Sequence, residues 1–149
     1  MRAIGKIFSI IPTLSVPLVY LNIRTRFMQP EAVKRWFDKV VMSHALPSGG
    51  ILQINVGTLF IMFGLFLLLI EIYKSTHVNN VQIVEHTMSF FLFVVYSLQL
   101  IFDPRLASSV FLLLGMMAAV DLIAGIAITI TAARKDSVTT IKAAGLIPD

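Results

Sequence analysis

The sequence contains no cysteine and few charged residues. Without cysteine, the 149-residue chain cannot form disulfides, thiolate metal sites or a thiol nucleophile. Charged residues make up 13% of the chain and hydrophobic residues 57%, with a mean hydropathy of +0.87, whereas about a quarter of the residues of an ordinary soluble domain are charged. This composition indicates an integral membrane protein whose apolar segments leave no room for a separate soluble domain.

Motifs that carry chemistry are also missing. The sequence has no glycine-rich phosphate loop, no His and acid cluster at metal-ligand spacing, and no Ser-His-Asp set with a common location. We therefore predict a protein that is not an enzyme, and we predict no metal and no cofactor. The net charge of +4 comes from Lys and Arg between apolar runs, which predicts contact with anionic lipid head groups rather than with nucleic acid.

Four apolar runs approach or exceed the length of about 20 residues that a helix needs to cross a bilayer: residues 7–23, 51–73, 81–102 and 107–133. The first has the basic start of a signal peptide, but no Ala-x-Ala cleavage site follows, so we interpret it as a crossing that Pro12 and Pro17 bend. We predict an all-α membrane protein with one domain over residues 1–149, a bundle of four transmembrane helices plus one interfacial amphipathic helix. A polar tail, 134–149, is too short to fold alone.

The interfacial helix is predicted over residues 30–43. Its apolar side chains recur at a helical period: Val33, Trp36, Phe37, Val40 and Val41. The opposite face is charged, and its cations are Lys34, Arg35 and Lys39. Such a helix lies in the plane of the membrane with its apolar face at the level of the head groups. The alternative is that the same face packs on a partner protein.

Small residues mark the predicted contacts between helices. Gly57 and Gly64 are seven residues apart and therefore share one face of the second run. The fourth run contains its own set of small residues: Gly115, Ala118, Gly125 and Thr129. Because small side chains let neighbouring backbones approach closely, both sets predict helix packing.

Asp121 is the single charged residue inside the fourth run, close to its middle. An acid at this depth costs a few kcal/mol, so we predict that it faces the bundle rather than lipid. Its spacing of four from Gly125, and of eight from Thr129, places all three on one helix face. No Lys or Arg lies within the runs, so we expect Asp121 to be protonated, or held by hydroxyls or by a partner protein.

Three further acidic or histidine residues lie within the runs: Glu71, Glu85 and His86. At about 1.5 Å per residue, Glu85 and His86 lie roughly 9 to 10 Å from the depth of Asp121, so a proton relay would need water, Thr129 or Ser89 between them. Three interpretations of His86 stay open: a packed or interfacial residue, a haem or chlorophyll ligand, and a proton carrier.

Two segments carry a general resemblance to a known group: SGGILQINVGTLFIMFGLFLLLIEIYKST and FLLLGMMAAVDLIAGIAITITAARKD. Their sequences resemble those of small four-helix inner-membrane proteins of proteobacteria, which have no assigned activity. The resemblance implies a bacterial inner membrane and four crossings, and it implies no functional residue. Loop cations divide evenly between the two sides, but Arg134 and Lys135 adjoin a crossing directly, so we predict that both termini are cytoplasmic.

Three functions are compatible with these observations. The leading expectation is an accessory or assembly subunit of a membrane complex, or a homo-oligomer, with Asp121 as a buried contact that sets helix register or partner choice. The first alternative is a bundle that conducts or transports protons or cations through Asp121, Glu85 and His86. The second alternative is a cofactor-binding membrane subunit that uses His86.

Overall fold

The structure is a computed structural model that describes residues 11–75 and 82–143. These residues form five helices and two strands. In chain order the elements are α1 (Ser15–Thr25), α2 (Pro30–Asp38), β1 (Val40–Ala45), β2 (Ile51–Asn55), α3 (Val56–Ser75), α4 (Gln82–Phe102) and α5 (Ser109–Ala143).

Two of the described helices are long and apolar enough to cross a membrane: α3, and the part of α5 from Ser109 to Thr131. With 11 residues, α1 is too short, and the apolar part of α4, His86–Phe102, also falls below the length of about 20 residues that a crossing needs. The prediction of an all-α bundle of four transmembrane helices is therefore wrong, both in the number of spans and because the described chain contains a β-sheet.

The prolines shorten α1 rather than bend it. The backbone turns at Pro12 and Thr13, whose carbonyls accept from the N–H groups of Ser15 and Val16, both at 3.0 Å. Pro17 lies in the first helical turn, where its missing N–H costs no helical bond. The beginning of the predicted first crossing, residues 7–10, lies outside the described residues.

An antiparallel hairpin replaces the end of the predicted interfacial helix. The helix α2 stops at Asp38, and β1 then pairs with β2 from Val40 opposite Asn55 to Ala45 opposite Ile51. The loop between the strands closes through a bond from the Leu46 N–H to the Gly50 carbonyl (2.8 Å), and Gly49 adopts a φ of 82°, which favours glycine. Val40 and Val41, predicted on the apolar helix face, are instead exposed strand residues.

Asn55 explains why the second apolar run becomes helical only after its fifth residue. Its Oδ1 accepts from the backbone N–H of Thr58 (2.8 Å) and from the Thr58 hydroxyl (2.9 Å). A side-chain acceptor at this position satisfies a free N–H at the start of a helix, so the residue acts as an N-cap. The predicted crossing therefore begins at Val56 instead of Ile51.

The longest helix, α5, packs against both α3 and α4. A Cβ added to Gly57 would lie 2.7 Å from Val110, and one added to Gly64 would lie 2.9 Å from Met117. The order of these contacts shows that α3 and α5 run parallel, so the chain returns between them along α4. The buried core lies where these helices meet, and its largest fully buried side chains include Tyr96, Phe111, Leu106 and Leu114.

The chain remains helical beyond the predicted end of the fourth run. The sequence predicts a polar tail after Ala133, but α5 continues to Ala143. The residues that commonly end helices, Gly145 and Pro148, come only after this point. Residues 144–149 lie outside the described part of the chain.

Candidate functional site at the polar interface of α4 and α5

The interface of α4 and α5 brings together two pairs of polar side chains. Asp121 of α5 is buried, and the Ser89 hydroxyl of α4 donates to its Oδ2 at 2.8 Å. A hydrogen bond to a carboxyl group in an apolar surrounding offsets part of its cost of burial. The acid predicted to need a partner therefore has one in the neighbouring helix, at a serine that the sequence suggested only as a bridge.

His86 forms the second pair. Its Nε2 lies 2.7 Å from the hydroxyl oxygen of Thr129, and that hydroxyl donates to the Gly125 carbonyl at 3.0 Å. Thr129 therefore links the imidazole of α4 to the backbone of α5, and the tautomer of the ring sets which of the two side chains donates. A haem iron at Nε2 would have to displace Thr129, so this geometry does not favour the cofactor interpretation of His86.

Gly125 allows the imidazole to approach α5. A Cβ at this position would lie 2.5 Å from both Cε1 and Nδ1 of the His86 ring. The glycine therefore provides the space in which His86 reaches Thr129, one helical turn further along. The sequence predicted Gly125 and Thr129 on one face, and the structure places that face against α4.

Both pairs lie on one stripe of α4. His86 and Ser89 are three residues apart and therefore share a helix face. The side chain of Glu85, the third member of the predicted relay, lies outside the part of the chain that the structure describes.

Glu71 belongs to a different contact. It is buried, and its Oε2 accepts from the Thr13 N–H (3.0 Å), while its Oε1 pairs with Lys74 (2.8 Å). The Thr13 hydroxyl also donates to the Leu67 carbonyl at 3.1 Å. Glu71 therefore ties the start of α1 to the end of α3 instead of joining the polar pairs of α4 and α5.

Two polar contacts were missed by reasoning from the sequence. The buried Tyr96 of α4 donates its hydroxyl to the Leu14 carbonyl at 3.0 Å, and its ring lies 5.0 Å from that of Phe111. Asn22 and Gln99 exchange amide hydrogen bonds of 2.9 and 3.1 Å. A tyrosine hydroxyl inside an apolar run requires a partner when buried, and this signal was available in the sequence.

The predicted packing residues lie at contacts between helices. Gly57 and Gly64 face α5, a Cβ added to Gly115 would lie in ordinary contact with Tyr96, at 3.5 Å, and Ala118 is buried. The α3–α5 contact contains apolar side chains over glycine, whereas the α4–α5 contact contains hydrogen-bonded pairs. Small residues therefore lie at both contacts: at α3–α5 they make room for apolar side chains, and at α4–α5 they make room for side chains that form hydrogen bonds.

The apolar face of α2 packs on the same chain. Val33 and Phe37 are buried, and the ring of Trp36 lies 5.6 Å from that of Phe60 in α3. Arg24 of α1 lies over the Trp36 ring at 5.3 Å, a cation–π contact. The cations predicted on the other face are exposed: Lys34, Arg35 and Lys39. The protein itself therefore covers much of the face that was predicted to enter lipid.

A salt bridge closes the turn between α4 and α5. Arg105 binds both carboxylate oxygens of Asp103, at 2.9 and 2.6 Å, and its Nη1 donates to the Arg26 carbonyl at 2.8 Å. The hydrogen bonds from Arg105 hold the pKa of Asp103 below its usual value. This bridge joins the end of α1 to the turn at the N-terminal end of α5.

The chemistry available to the polar interface is hydrogen bonding and proton exchange. Over residues 11–75 and 82–143, no group of three or more His, Asp or Glu side chains is arranged to hold a metal ion. The buried side-chain nitrogen and oxygen atoms of the same residues all have hydrogen-bond partners. The chain matches no protein-family model, and comparisons with curated proteins and with solved structures find no significant similarity.

Proposed function

We propose that this chain is a non-enzymatic integral membrane protein that acts as an accessory or assembly subunit of a membrane complex, or as a homo-oligomer. In this proposal α3 and α5 cross the bilayer in the same direction, and α4, which packs along α5, returns the chain between them although its apolar part is shorter than that of α3 or α5. The finer proposal, a bacterial inner membrane with cytoplasmic termini, is supported by the placement of Arg134 and Lys135 beside the apolar part of α5.

The exposed apolar faces of α3 and α5 carry this proposal. On α3 the exposed side chains are Leu59, Met62, Phe63, Leu65, Phe66, Leu69 and Ile70, and on α5 they are Leu112, Leu113, Met116, Val120, Ile123, Ile126 and Ile130. Soluble monomers rarely expose a continuous apolar patch above a few hundred Å². Lipid or another protein therefore has to cover these two faces.

The pairing of polar side chains between α4 and α5 supports a structural role for them. Ser89 bonds to Asp121, and His86 bonds to Thr129, which fixes the register of α4 against α5. A polar contact between membrane helices contributes about 0.6 kcal/mol on average, enough to favour one register over its neighbours.

Site-specific photocrosslinking in native membranes tests the proposal. A photoreactive residue replaces Phe66 on α3 or Ile123 on α5, both on outward faces, and replaces the buried Leu114 as the control. A subunit is expected to give a discrete heavier protein adduct from one outward face and none from Leu114. Adducts with lipid alone from both outward positions would contradict the subunit proposal while retaining the membrane location.

A proton- or cation-conducting bundle is the second candidate. The observation that favours it is the shared stripe of His86 and Ser89, whose partners Thr129 and Asp121 lie on one face of α5. In vesicles that contain the purified chain, conduction predicts that Asp121→Asn abolishes proton or cation flux while assembly stays intact. Unchanged flux with loss of a co-purifying subunit would instead support the first proposal.

A further inference from the structure

An open cleft of about 750 Å³ lies between the end of α1 and the turn that joins α4 to α5. We call it the Arg26 cleft, and the residues that matter for its chemistry are Arg26, Phe27, Leu98, Gln99, Phe102 and Arg105. A neighbouring cleft shares Arg26, Phe27 and Arg105 and extends toward Asn22 and Ile23. The Asn22–Gln99 amide pair therefore joins the two clefts.

The charge of the Arg26 cleft is positive. Arg105 and Asp103 form a salt bridge of 2.6 Å, so their charges compensate each other. The guanidinium of Arg26 has no hydrogen-bond or salt-bridge partner within the described ranges; only its carbonyl is used, by Arg105. One uncompensated guanidinium is therefore available to an anion, and guanidinium groups bind phosphate with two parallel hydrogen bonds.

The walls of the cleft are apolar and unusually exposed. Phe27 is 92% exposed and Phe102 is 77% exposed, and Leu98 is exposed beside them, as is Ile23 in the neighbouring cleft. A free phosphate ion would contact the guanidinium but would leave these side chains in water. A ligand that matches the whole cleft carries an anionic group and a hydrocarbon portion together.

The position of the cleft agrees with such a ligand. The α3–α5 packing is parallel, so both candidate spans begin at the same end of the molecule. The Asp103–Arg105 turn immediately precedes α5, so the Arg26 cleft also lies at this end. If α3 and α5 cross the bilayer, the cleft is at the depth of the phospholipid head groups.

We propose that the Arg26 cleft binds an anionic phospholipid, with the phosphate on the Arg26 guanidinium and the upper acyl chains against Phe27, Leu98 and Phe102. This inference rests on the proposed membrane location. It adds a defined lipid site, one that does not include the apolar face of α2.

Retention of phosphatidylglycerol by the full-length chain tests the site. The chain is purified from phosphatidylcholine nanodiscs that contain a minor fraction of phosphatidylglycerol, and the bound lipid is counted by mass spectrometry. Arg26→Gln is expected to reduce retained phosphatidylglycerol about fivefold. This is the change in affinity that corresponds to the loss of one basic side chain at an anionic lipid surface. Arg26→Lys keeps the charge and is expected to retain most of it. Phe27→Ser, at a side chain with almost no packing to lose, should also weaken retention.

Arg35→Gln is the matched control, because it removes the same charge from an exposed position on α2 outside the cleft. Retention equal to wild type in both Arg26→Gln and Phe27→Ser would overturn the site, and so would an equal loss in Arg35→Gln. Displacement of the lipid by inorganic phosphate at matched concentration would identify a free-phosphate site and also overturn it. A chain that fails to enter nanodiscs and stays in the aqueous fraction would overturn the proposed function, and the lipid site with it.

Discussion

The two faces of α5 contact their neighbours differently: interhelical side-chain hydrogen bonds are found toward α4, and packing on glycine dominates toward α3. Toward α3, the contact consists of side chains over glycine backbone, with Leu114 and Met117 resting on Gly64. Toward α4, the contact also contains hydrogen bonds between side chains, such as that of Ser89 to Asp121, beside apolar contacts such as that of Tyr96 with Phe111. One helix therefore has a face that is sensitive to added volume and a face that is sensitive to the loss of a polar partner.

The difference follows from what each face has to accommodate. Glycine contacts place apolar atoms at van der Waals distance, where each atom pair contributes little and the total depends on close fit. A buried carboxyl group requires a donor, and without one it costs more than a small packing defect. Substitutions that separate volume from hydrogen bonding should therefore affect the two faces differently.

The largest effect is expected for Gly64→Leu on the α3 face. A Cβ alone would lie 2.6 Å from Leu114 Cδ2 and 2.9 Å from Met117 Sδ, and leucine adds three further carbons. Such overpacking should lower the free energy of unfolding by about 1–3 kcal/mol. Reversible unfolding of the purified chain by SDS titration in mixed micelles measures this loss.

The control for Gly64→Leu is the same substitution at Gly50. In the hairpin loop, a Cβ at Gly50 would meet only the Ser48 hydroxyl, at 3.8 Å. The free energy of unfolding should change by no more than about 0.5 kcal/mol there. Equal losses at the two glycines would show that the α3–α5 contact is not close-packed.

A smaller effect is expected on the α4 face, in a double-mutant cycle of Ser89→Ala and Asp121→Ala. Each substitution removes one partner of a 2.8 Å hydrogen bond, so the double variant should lose less stability than the two single variants added together. The coupling should be about 0.5–1.5 kcal/mol. The same unfolding titration measures it.

Ser97→Ala supplies the reference for that cycle. The Ser97 hydroxyl donates to the Phe93 carbonyl of its own helix at 2.9 Å, so its removal should add independently to Asp121→Ala. If the Ser89 and Ser97 cycles show equal coupling, the hydrogen bond to Asp121 does not fix the register of α4 and α5.

The smallest net effect is expected for Gly125→Ala, where volume and hydrogen bonding meet. The new methyl group would lie 2.5 Å from two atoms of the His86 ring, so the ring has to leave Thr129. Loss of that bond costs about 1 kcal/mol, and the gain of about 0.5–1 kcal/mol from replacing a helical glycine largely offsets it. The NMR shifts of the His86 ring should therefore change, while the free energy of unfolding should stay close to that of the wild type.

Repeating Gly125→Ala in a His86→Ala background tests whether the small net effect comes from two offsetting terms or from a site that accepts the extra methyl group without cost. Without the imidazole, Gly125→Ala should raise the free energy of unfolding by about 0.5–1 kcal/mol, the ordinary difference in helix propensity. A Gly125→Ala effect that is the same in both backgrounds would contradict a contact between the ring and α5.

Local patterns in the sequence were good guides to some features and poor guides to others. The spacing of Gly57 and Gly64 identified a packing face because a helix repeats every few residues wherever it lies. The helical period of apolar residues from Val33 to Val41 predicted a single helix, and this prediction was wrong at its end. Val40 and Val41 match the helical period but belong to the strand β1. The strand forms because β1 has Ile51–Asn55 as a partner across a glycine loop, and a helical period contains no information about that pairing.

The candidate site shows the same division. The sequence identified Asp121 as a costly residue and placed it on a face with Gly125 and Thr129, from composition and spacing alone. It did not identify Ser89 as the donor, because serine occurs in many helices without an interhelical role. Ser89 lies opposite Asp121 because of the axial position of α4 relative to α5, which the sequence of either helix alone does not specify.

By itself, the sequence determined that the chain is unusually apolar and that small residues and one acid share a face of the helix that becomes α5. These properties follow from residue type and helical period, which are local. Only the tertiary structure decided that Asp121 meets Ser89, 32 residues away, and that the Arg26 cleft forms beside the α4–α5 turn. Both depend on the relative register of separate helices, which many weak contacts set together.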